Sequence, residues 1–283
     1  MRRLPRGEIV AVPDVTLNNG ATMPQLGFGV FQVADDEAER AVTAALETGY
    51  RSIDTARIYQ NERGTGRALR GSGIAREDLF VTTKLWNDDQ GYDSALRAFD
   101  ASLERLGLDY VDLYLIHWPA AARNLYLDTW RAFEKLYADG RAKAIGVSNF
   151  TVEALTKVVD EGEVVPAVNQ IELHPYLQQE ELRALDARYG VHTEAWSPLG
   201  QGQGLLSDPA LAPIAEAHGR TPAQVVLRWH LQLGNVVIPK SVTPSRIAEN
   251  FDVFGFELTE PEIAAIAAMD SGTRLGPDPA TFS

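Results

Sequence analysis

The sequence of 283 residues contains no cysteine. Disulfide bonds, thiolate metal sites and cysteine nucleophiles are therefore excluded, and the redox compartment is left open. No stretch of roughly 18 apolar residues occurs, and the amino terminus lacks the apolar run of a signal peptide. We therefore expect a soluble, cytoplasmic protein without a membrane partner.

Basic residues are in deficit, because 26 Lys and Arg stand against 39 Asp and Glu, a net charge of -13. This balance argues against a nucleic-acid partner or an anionic membrane surface, since both reward clustered basic residues. An anionic ligand would need a local basic pocket.

Two common motifs are also missing. The five histidines show no HExxH or other ligand spacing, so we predict no metal site. No GxGxxG follows the first apolar run, and Gly64, Gly66 and Gly71 have the wrong spacing. A Rossmann domain is therefore not expected.

Short apolar runs instead alternate with amphipathic segments, which predicts parallel strands joined by helical crossovers. Eight such units over a chain of this length predict an α/β fold, a (β/α)8 TIM barrel in a single domain over residues 1–283. The predicted strands are Leu26–Val30, Ser52–Asp54, Leu79–Lys84, Val111–His117, Ala144–Ser148, Ala167–Glu172, His192–Trp196 and Val236–Lys240. The predicted helices include Asp35–Thr48, one that begins with the segment NERGTGRALRG at Asn61, Asp93–Leu106, Leu125–Asp139, Val152–Glu161, Gln179–Tyr189 and Pro244–Phe254.

The ends of the chain carry additions to this repeat. Residues 1–10 have no periodic pattern and are predicted to be a loose terminus. Asn19-Gly20 predicts a β-hairpin with a two-residue turn, which we interpret as a plug over one end of the barrel. Near the carboxyl terminus we predict extra helices that begin with Asp208-Pro209, Thr221-Pro222 and Thr259-Glu260, the last running to about Met269.

Polar residues end three successive predicted strands. Asp54 closes one run, Lys84 and His117 close the next two, and Tyr59 follows Asp54 in a short loop. The carboxyl ends of barrel strands are where such folds place their chemistry.

Tyr59 could donate a proton if its pKa, ordinarily near 10, were lowered. An ammonium about 4 Å away contributes roughly 4 kcal/mol, or about 3 pKa units, at an effective dielectric constant of about 20. Lys84 could supply that charge.

Several dispersed segments agree with one family in order and spacing. They are RSIDTARIYQNE, VTTKLW, LYLIHWP, IGVSNF, NQIELHP, WSPLG and IPKSVTPSRIAEN. From about Gly20 to about Gly272 the chain resembles the aldo-keto reductase superfamily, and most closely its bacterial 2,5-diketo-gluconate reductase type. The resemblance implies that Asp54, Tyr59, Lys84 and His117 are the catalytic residues. It also implies ordinary carbonyl reduction, because members that reduce steroid double bonds carry an acid at the His117 position.

The same resemblance implies NADPH as cofactor. Ser148, Asn149 and Gln170 end two predicted strands and suit a carboxamide, while Trp196 offers a flat face to a nicotinamide ring. Lys240, Ser241 and Arg246 lie at a predicted helix start and suit a phosphate, the adenosine 2'-phosphate in this family. The loop Gly200–Leu206 resembles the family's flexible segment over the pyrophosphate. The full predicted cofactor set is Ser148, Asn149, Gln170, Trp196, Ser197, Leu199, Lys240, Ser241, Val242, Arg246, Glu249 and Asn250.

Matching positions place an apolar, aromatic substrate mouth around the carbonyl, made of Phe28, Val30, Phe31, Trp86 and Trp118. The carboxyl-terminal segment SGTRLGPDPATFS is rich in turn residues. It is expected either to form a small lid or to be disordered.

These patterns predict an NADPH-dependent reductase of aldehydes and ketones, with small carbonyls, 2-ketoaldehydes or diketo sugar acids as substrates. The alternative is an NADPH-binding redox sensor with little turnover, since some relatives of this fold serve as ion-channel subunits. A barrel isomerase would instead have acidic bases without the Lys240–Arg246 pocket. Nothing in the sequence demands a dimer, so a monomer is expected.

Overall fold

The structure is a computed structural model that describes residues 12–283; the predicted loose terminus at residues 1–10 lies outside this range. An antiparallel hairpin comes first, formed by β1 (Asp14–Thr16) and β2 (Thr22–Pro24). The parallel strands follow as β3 (Phe28–Gly29), β4 (Ser52–Asp54), β5 (Phe80–Leu85), β6 (Val111–Ile116), β7 (Ala142–Ser148), β8 (Val168–Glu172), β9 (His192–Trp196) and β10 (Val236–Val237).

The helices lie between these strands and after them. They are α1 (Asp35–Thr48), α2 (Glu62–Gly71), α3 (Tyr92–Leu106), α4 (Tyr126–Ala138), α5 (Val152–Glu161), α6 (Glu180–Tyr189), α7 (Leu211–His218), α8 (Pro222–Gln232), α9 (Pro244–Phe251) and α10 (Glu260–Ala267). Among these described helices, none combines the length and the apolar character needed to cross a membrane.

The eight parallel strands pair in chain order from β3 to β10, and the two ends of the sheet meet. Leu26 bridges Val237 in a parallel sense, and the Gly27 amide donates to the Val237 carbonyl over 2.8 Å. The predicted (β/α)8 barrel is therefore confirmed. That these strands form one domain over residues 1–283 stays a prediction.

The hairpin closes the amino end of the barrel. Leu17 and Met23 are buried with residues at the starts of barrel strands, among them Phe80 and Val168. The loop joining the two strands has three residues, 18–20, instead of the predicted two, because Leu17 still pairs with Ala21. Such loops need a left-handed residue at their last position, and Gly20 supplies it with φ +85°. The open end of the barrel is thus the carboxyl end.

Most helix bounds match the sequence patterns within one or two residues. Helix α9 ends at Phe251 instead of Phe254, because the chain turns where the Val253 amide donates to the Phe251 carbonyl. Helix α7 begins at Leu211, because Asp208 accepts from the Ala210 amide and forms a local turn in place of the predicted helix start. The capping boxes that begin α8 and α10 are present at Thr221 and Thr259.

Two glycines of α2 allow close helix packing. A side chain on Gly64 would lie 1.8 Å from the Asp35 carbonyl oxygen of α1. One on Gly66 would lie 2.1 Å from the Leu106 carbonyl oxygen of α3. Both distances are far shorter than van der Waals contact, so these glycines serve packing between helices on the outside of the barrel.

Candidate active site

A cavity of about 870 Å³ opens at the carboxyl ends of the barrel strands. Most of the predicted site residues line it: Phe31, Asp54, Tyr59, Trp86, His117, Trp118, Ser148, Asn149, Gln170, Trp196, Ser197, Leu199, Lys240, Ser241, Arg246, Glu249 and Asn250. Four predicted residues do not. Lys84 lies beneath the cavity floor, Phe28 and Val30 are buried in the barrel wall, and Val242 is exposed outside.

A buried ion pair lies at the bottom of the cavity, where Asp54 lines the floor and Lys84 lies beneath it. The Lys84 ammonium donates to the Asp54 carboxylate over 2.5 Å and to the Thr55 carbonyl over 3.0 Å. It also lies 3.4 Å from the Tyr59 hydroxyl. Both charged side chains are at most 3% exposed, so water screens this pair weakly. Strands β4 and β5 are neighbours, which brings Asp54 and Lys84 together.

The loop that carries Tyr59 is held by a buried asparagine. Asn61 donates to the carbonyls of Val30 and Val33 over 2.8 and 2.9 Å. It also accepts a hydrogen bond from the Thr55 hydroxyl at 2.7 Å. These contacts connect the loops after β3 and β4 and hold Tyr59 at the rim of the cavity.

The electrostatics of Tyr59 correct one expectation. Burial raises the pKa of Tyr59, and the nearby Lys84 charge lowers it only in part, so the pKa lies above its ordinary value of 10.0. The ammonium is visible in the sequence as Lys84, whereas the loss of water around the phenol is not. For Lys84, burial lowers the pKa, but Asp54 overcomes this effect and leaves the pKa raised. Tyr59 is therefore neutral and Lys84 charged at neutral pH.

His117 completes the group. Its ring centroid lies 5.6 Å from that of Tyr59 and 5.3 Å from that of Trp86. Burial lowers the pKa of His117 well below its usual value, and the Lys84 charge lowers it further. The imidazole is therefore neutral and can donate one hydrogen bond to an oxygen in the cavity.

A hydrogen-bonded platform crosses the cavity wall from β7 to β9. The Trp196 ring N–H donates to the Asn149 side chain over 2.8 Å, and Asn149 donates to the His117 carbonyl over 2.9 Å. Asn149 has φ +62°, a left-handed conformation that aims its amide at both partners. Next to it, the Ser148 hydroxyl donates to the Gln170 carbonyl over 2.8 Å. The platform offers a polar edge and half-buried Trp196 to a ligand.

The far end of the cavity is cationic. Lys240 and Arg246 are exposed there, and neither forms an ion pair with any residue of the range 12–283. Ser241 accepts from the Thr243 amide at 3.1 Å, just before α9 begins. In a protein of net charge -13, two unpaired cations beside a helix start suit an anionic group. Within the same range no cluster of three or more His, Asp or Glu is arranged to hold a metal ion.

The carboxyl-terminal segment is an ordered lid over the cavity. The Glu172 carboxylate accepts from the amides of Leu275 and Gly276 over 2.6 and 3.0 Å. Phe282 then packs on Trp118, with ring centroids 4.5 Å apart. A side chain on Gly276 would lie 2.5 Å from the Trp196 ring, so only glycine permits this approach. Of the two expectations for this segment, the lid is correct.

Three residues were missed by the sequence argument: Glu172, Glu194 and Phe282. The two acids stand in the segments NQIELHP and HTEAW, where a carboxyl group inside a strand predicted to be buried is the signal. Phe282 gives no such signal, because its place depends on contacts made far from it in sequence.

Comparison with known proteins agrees with this geometry. A sequence profile described as the Aldo/keto reductase family matches residues 23–271. This chain belongs to that family. The prediction of an aldo-keto reductase enzyme is thereby confirmed.

Individual relatives cover nearly the whole chain. This chain is 60% identical to an aldo-keto reductase of Mycolicibacterium smegmatis over 271 residues, and the aligned region covers 96% of this chain and 98% of that protein. It is 52% identical to the methylglyoxal reductase DkgA of Salmonella typhimurium, with 95% and 97% covered. A crystal structure of a Gox0644 mutant in complex with NADPH matches with a TM-score of 0.92 and 50% identity, covering 96% and 99%.

Proposed function

We propose that this chain reduces small aldehydes and ketones to alcohols, with NADPH as hydride donor and Tyr59 as proton donor. The observation that carries the proposal is the Tyr59 hydroxyl, 3.4 Å from the buried Lys84 ammonium at the cavity. A phenol beside a fixed cation can release its proton to a carbonyl oxygen as charge develops there. One relative is named a methylglyoxal reductase and another was solved with NADPH, which supports both parts.

The residues present fit NADPH. When bound, the cofactor supplies the hydride that the side chains lack. Gln170 and the platform of Ser148, Asn149 and Trp196 would hold the nicotinamide end, and Lys240 and Arg246 the 2'-phosphate. The two cations are free of acidic partners among the described residues, which supports a phosphate there and favours NADPH over NADH.

The proton is handled by the floor of the cavity. Tyr59 stays protonated at neutral pH because burial raises its pKa, so the donor form is populated. As the proton leaves, Lys84 stabilises the phenolate that forms, and Asp54 keeps the ammonium charged and in place. Neutral His117 orients the carbonyl oxygen by a hydrogen bond.

The character of the mouth favours neutral substrates. Phe31, Trp86, Trp118 and Phe282 line it, while the lining cations Lys240 and Arg246 belong to the phosphate end. A sugar acid would bring a carboxylate to this aromatic mouth without a cationic partner among the described lining residues. Within the predicted classes we therefore favour small carbonyls and 2-ketoaldehydes over diketo sugar acids. Contact of Phe28 and Val30 with substrate, a monomeric state and a cytoplasmic location stay predictions.

The test is to mix the purified protein with NADPH and follow absorbance at the nicotinamide band. The panel should pair methylglyoxal and small aldehydes with a diketo sugar acid of similar size. A higher kcat/KM for the neutral carbonyls than for the diketo sugar acid supports the proposal. Tight NADPH binding without turnover on any carbonyl would favour the redox sensor, and absence of NADPH binding would refute the cofactor.

A further inference from the structure

An acidic residue lies beneath the catalytic group without a role so far. Glu194 is in the middle of β9, fully buried, and is the register partner of Gln170 on β8. It is a carboxyl group inside the barrel, shielded from solvent. Burying such a group is costly unless it is neutral or paired, so its contacts decide its state.

Glu194 and Asp54 share one amide group. Gln170 Nε2 donates to Glu194 Oε2 and to Asp54 Oδ2, each over 2.8 Å. The other oxygen of Glu194 has no hydrogen-bond partner among the described residues. The Lys84 ammonium donates to Asp54, the Thr55 carbonyl and Tyr59, and its contacts do not include Glu194.

Two carboxyl groups therefore share one amide and lie near a single cation, and all three groups are shielded from solvent. Two ionised carboxylates there would leave one charge uncompensated, so one of them keeps a proton. Asp54 has the ammonium, which assigns the proton to Glu194. In agreement, burial and the negative charge of Asp54 raise the pKa of Glu194 to about 8.

The orientation of Gln170 follows from these contacts. Both acceptors, Asp54 and Glu194, lie on the barrel side of its amide, so the amide nitrogen points inward. Its amide oxygen makes no hydrogen bond within the described residues, and Gln170 lines the cavity. The side chain thus offers the cavity an acceptor.

We propose that Glu194 is a positioning residue, held as a neutral carboxylic acid, that orients the Gln170 amide so that its oxygen accepts a hydrogen bond from the nicotinamide carboxamide. This inference rests on the proposed use of NADPH. It assigns Glu194 a part in cofactor recognition although this residue is fully buried and does not line the cavity.

The first measurement needs no cofactor. Infrared spectra at pH 6 should contain the C=O band of a protonated carboxylic acid that disappears in Glu194→Gln. Asp186→Asn is the matched control, because Asp186 is a second buried carboxyl group, with a pKa raised by burial to about 7 and contacts to Asn169 and Thr193. That variant should lose its own band and keep that of Glu194. Spectra of wild type and Glu194→Gln without any difference in this band would overturn the proposal.

The second measurement is NADPH affinity by fluorescence titration. Glu194→Leu should bind NADPH about tenfold more weakly, because it removes the hydrogen bond that orients Gln170. Glu194→Gln keeps an oxygen that accepts this hydrogen bond, so its affinity for NADPH should equal that of the wild type. In a Gln170→Ala background Glu194→Leu should have almost no further effect. Equal losses with and without Gln170, or a Glu194→Gln variant as weak as Glu194→Leu, would refute the positioning role. Failure of the wild type to bind NADPH would refute the proposed function itself, and the role in cofactor recognition with it, whatever the infrared result.

Discussion

Glu172 binds the middle of the lid to the barrel, so replacing this residue by glutamine should loosen the lid at Leu275 and Gly276. The carboxylate accepts from the Leu275 and Gly276 amides and lies 3.5 Å from the Arg274 guanidinium. Hydrogen bonds to a charged acceptor contribute about 1 kcal/mol more than those to a neutral one. Glutamine has only one oxygen, so one of the two bonds remains in the weaker neutral form and the other is lost, because an NH2 group then faces an amide donor. We expect the opening free energy of the lid to fall by at least about 2 kcal/mol, or about 30-fold in opening equilibrium.

Amide hydrogen exchange measures this directly, because the Leu275 and Gly276 amides are the donors themselves. Both should exchange about 30-fold faster in Glu172→Gln, while barrel amides keep their protection.

Acid should also loosen the lid. Burial raises the pKa of Glu172, but the hydrogen bonds from His174 and the two amides overcome it and lower the pKa below its ordinary 4.5. The lid contact is thus present above that value and lost as the pH falls through the lowered pKa. Unchanged exchange of the two amides in a folded variant would refute this reasoning.

Three further predictions concern the floor and the far end of the cavity. Lys84→Met leaves the Asp54 charge unpaired. We expect the unfolding free energy, measured by urea titration, to fall by about 3–5 kcal/mol and kcat to fall by at least ~100-fold. An equally active variant would exclude Lys84 from the proton step. Arg246→Ala should weaken NADPH about 10-fold or more and leave NADH unchanged in parallel titrations, whereas equal loss for both would place Arg246 away from the phosphate. Glu194→Gln should stabilise the fold increasingly as the pH rises from 4.5 to about 8, where folded Glu194 keeps a proton that the unfolded chain has lost. The full shift sets an upper bound of about 5 kcal/mol, and a pH-independent difference in urea unfolding would contradict it.

That the proposed catalytic side chains lie together could be predicted, because this depends on topology alone. Asp54, Lys84 and His117 each end an apolar run, and parallel strands bring such ends to one edge. The platform and the cationic end follow from the same rule. The barrel closure was likewise within reach, since eight regular alternations leave few other arrangements.

What could not be predicted depends on surroundings that the sequence does not display. The pKa of Tyr59 is the balance of a cation and the loss of water, and only the cation was visible as Lys84. Glu194 lies in the alternation HTEAW beside Thr193, so the pattern does not say which polar side chain points into the barrel. The lid position of Phe282 depends on contacts more than a hundred residues away.

The central claim is that Tyr59 gives the proton, and Tyr59→Phe tests it most directly. The substitution removes one hydroxyl and keeps the ring beside Phe31 and His117. NADPH affinity and melting temperature are the controls, and we expect the Kd to change by less than about threefold. With these intact, kcat for methylglyoxal should fall by about 100-fold or more. A Tyr59→Phe variant that binds NADPH and keeps most of its turnover would contradict the account.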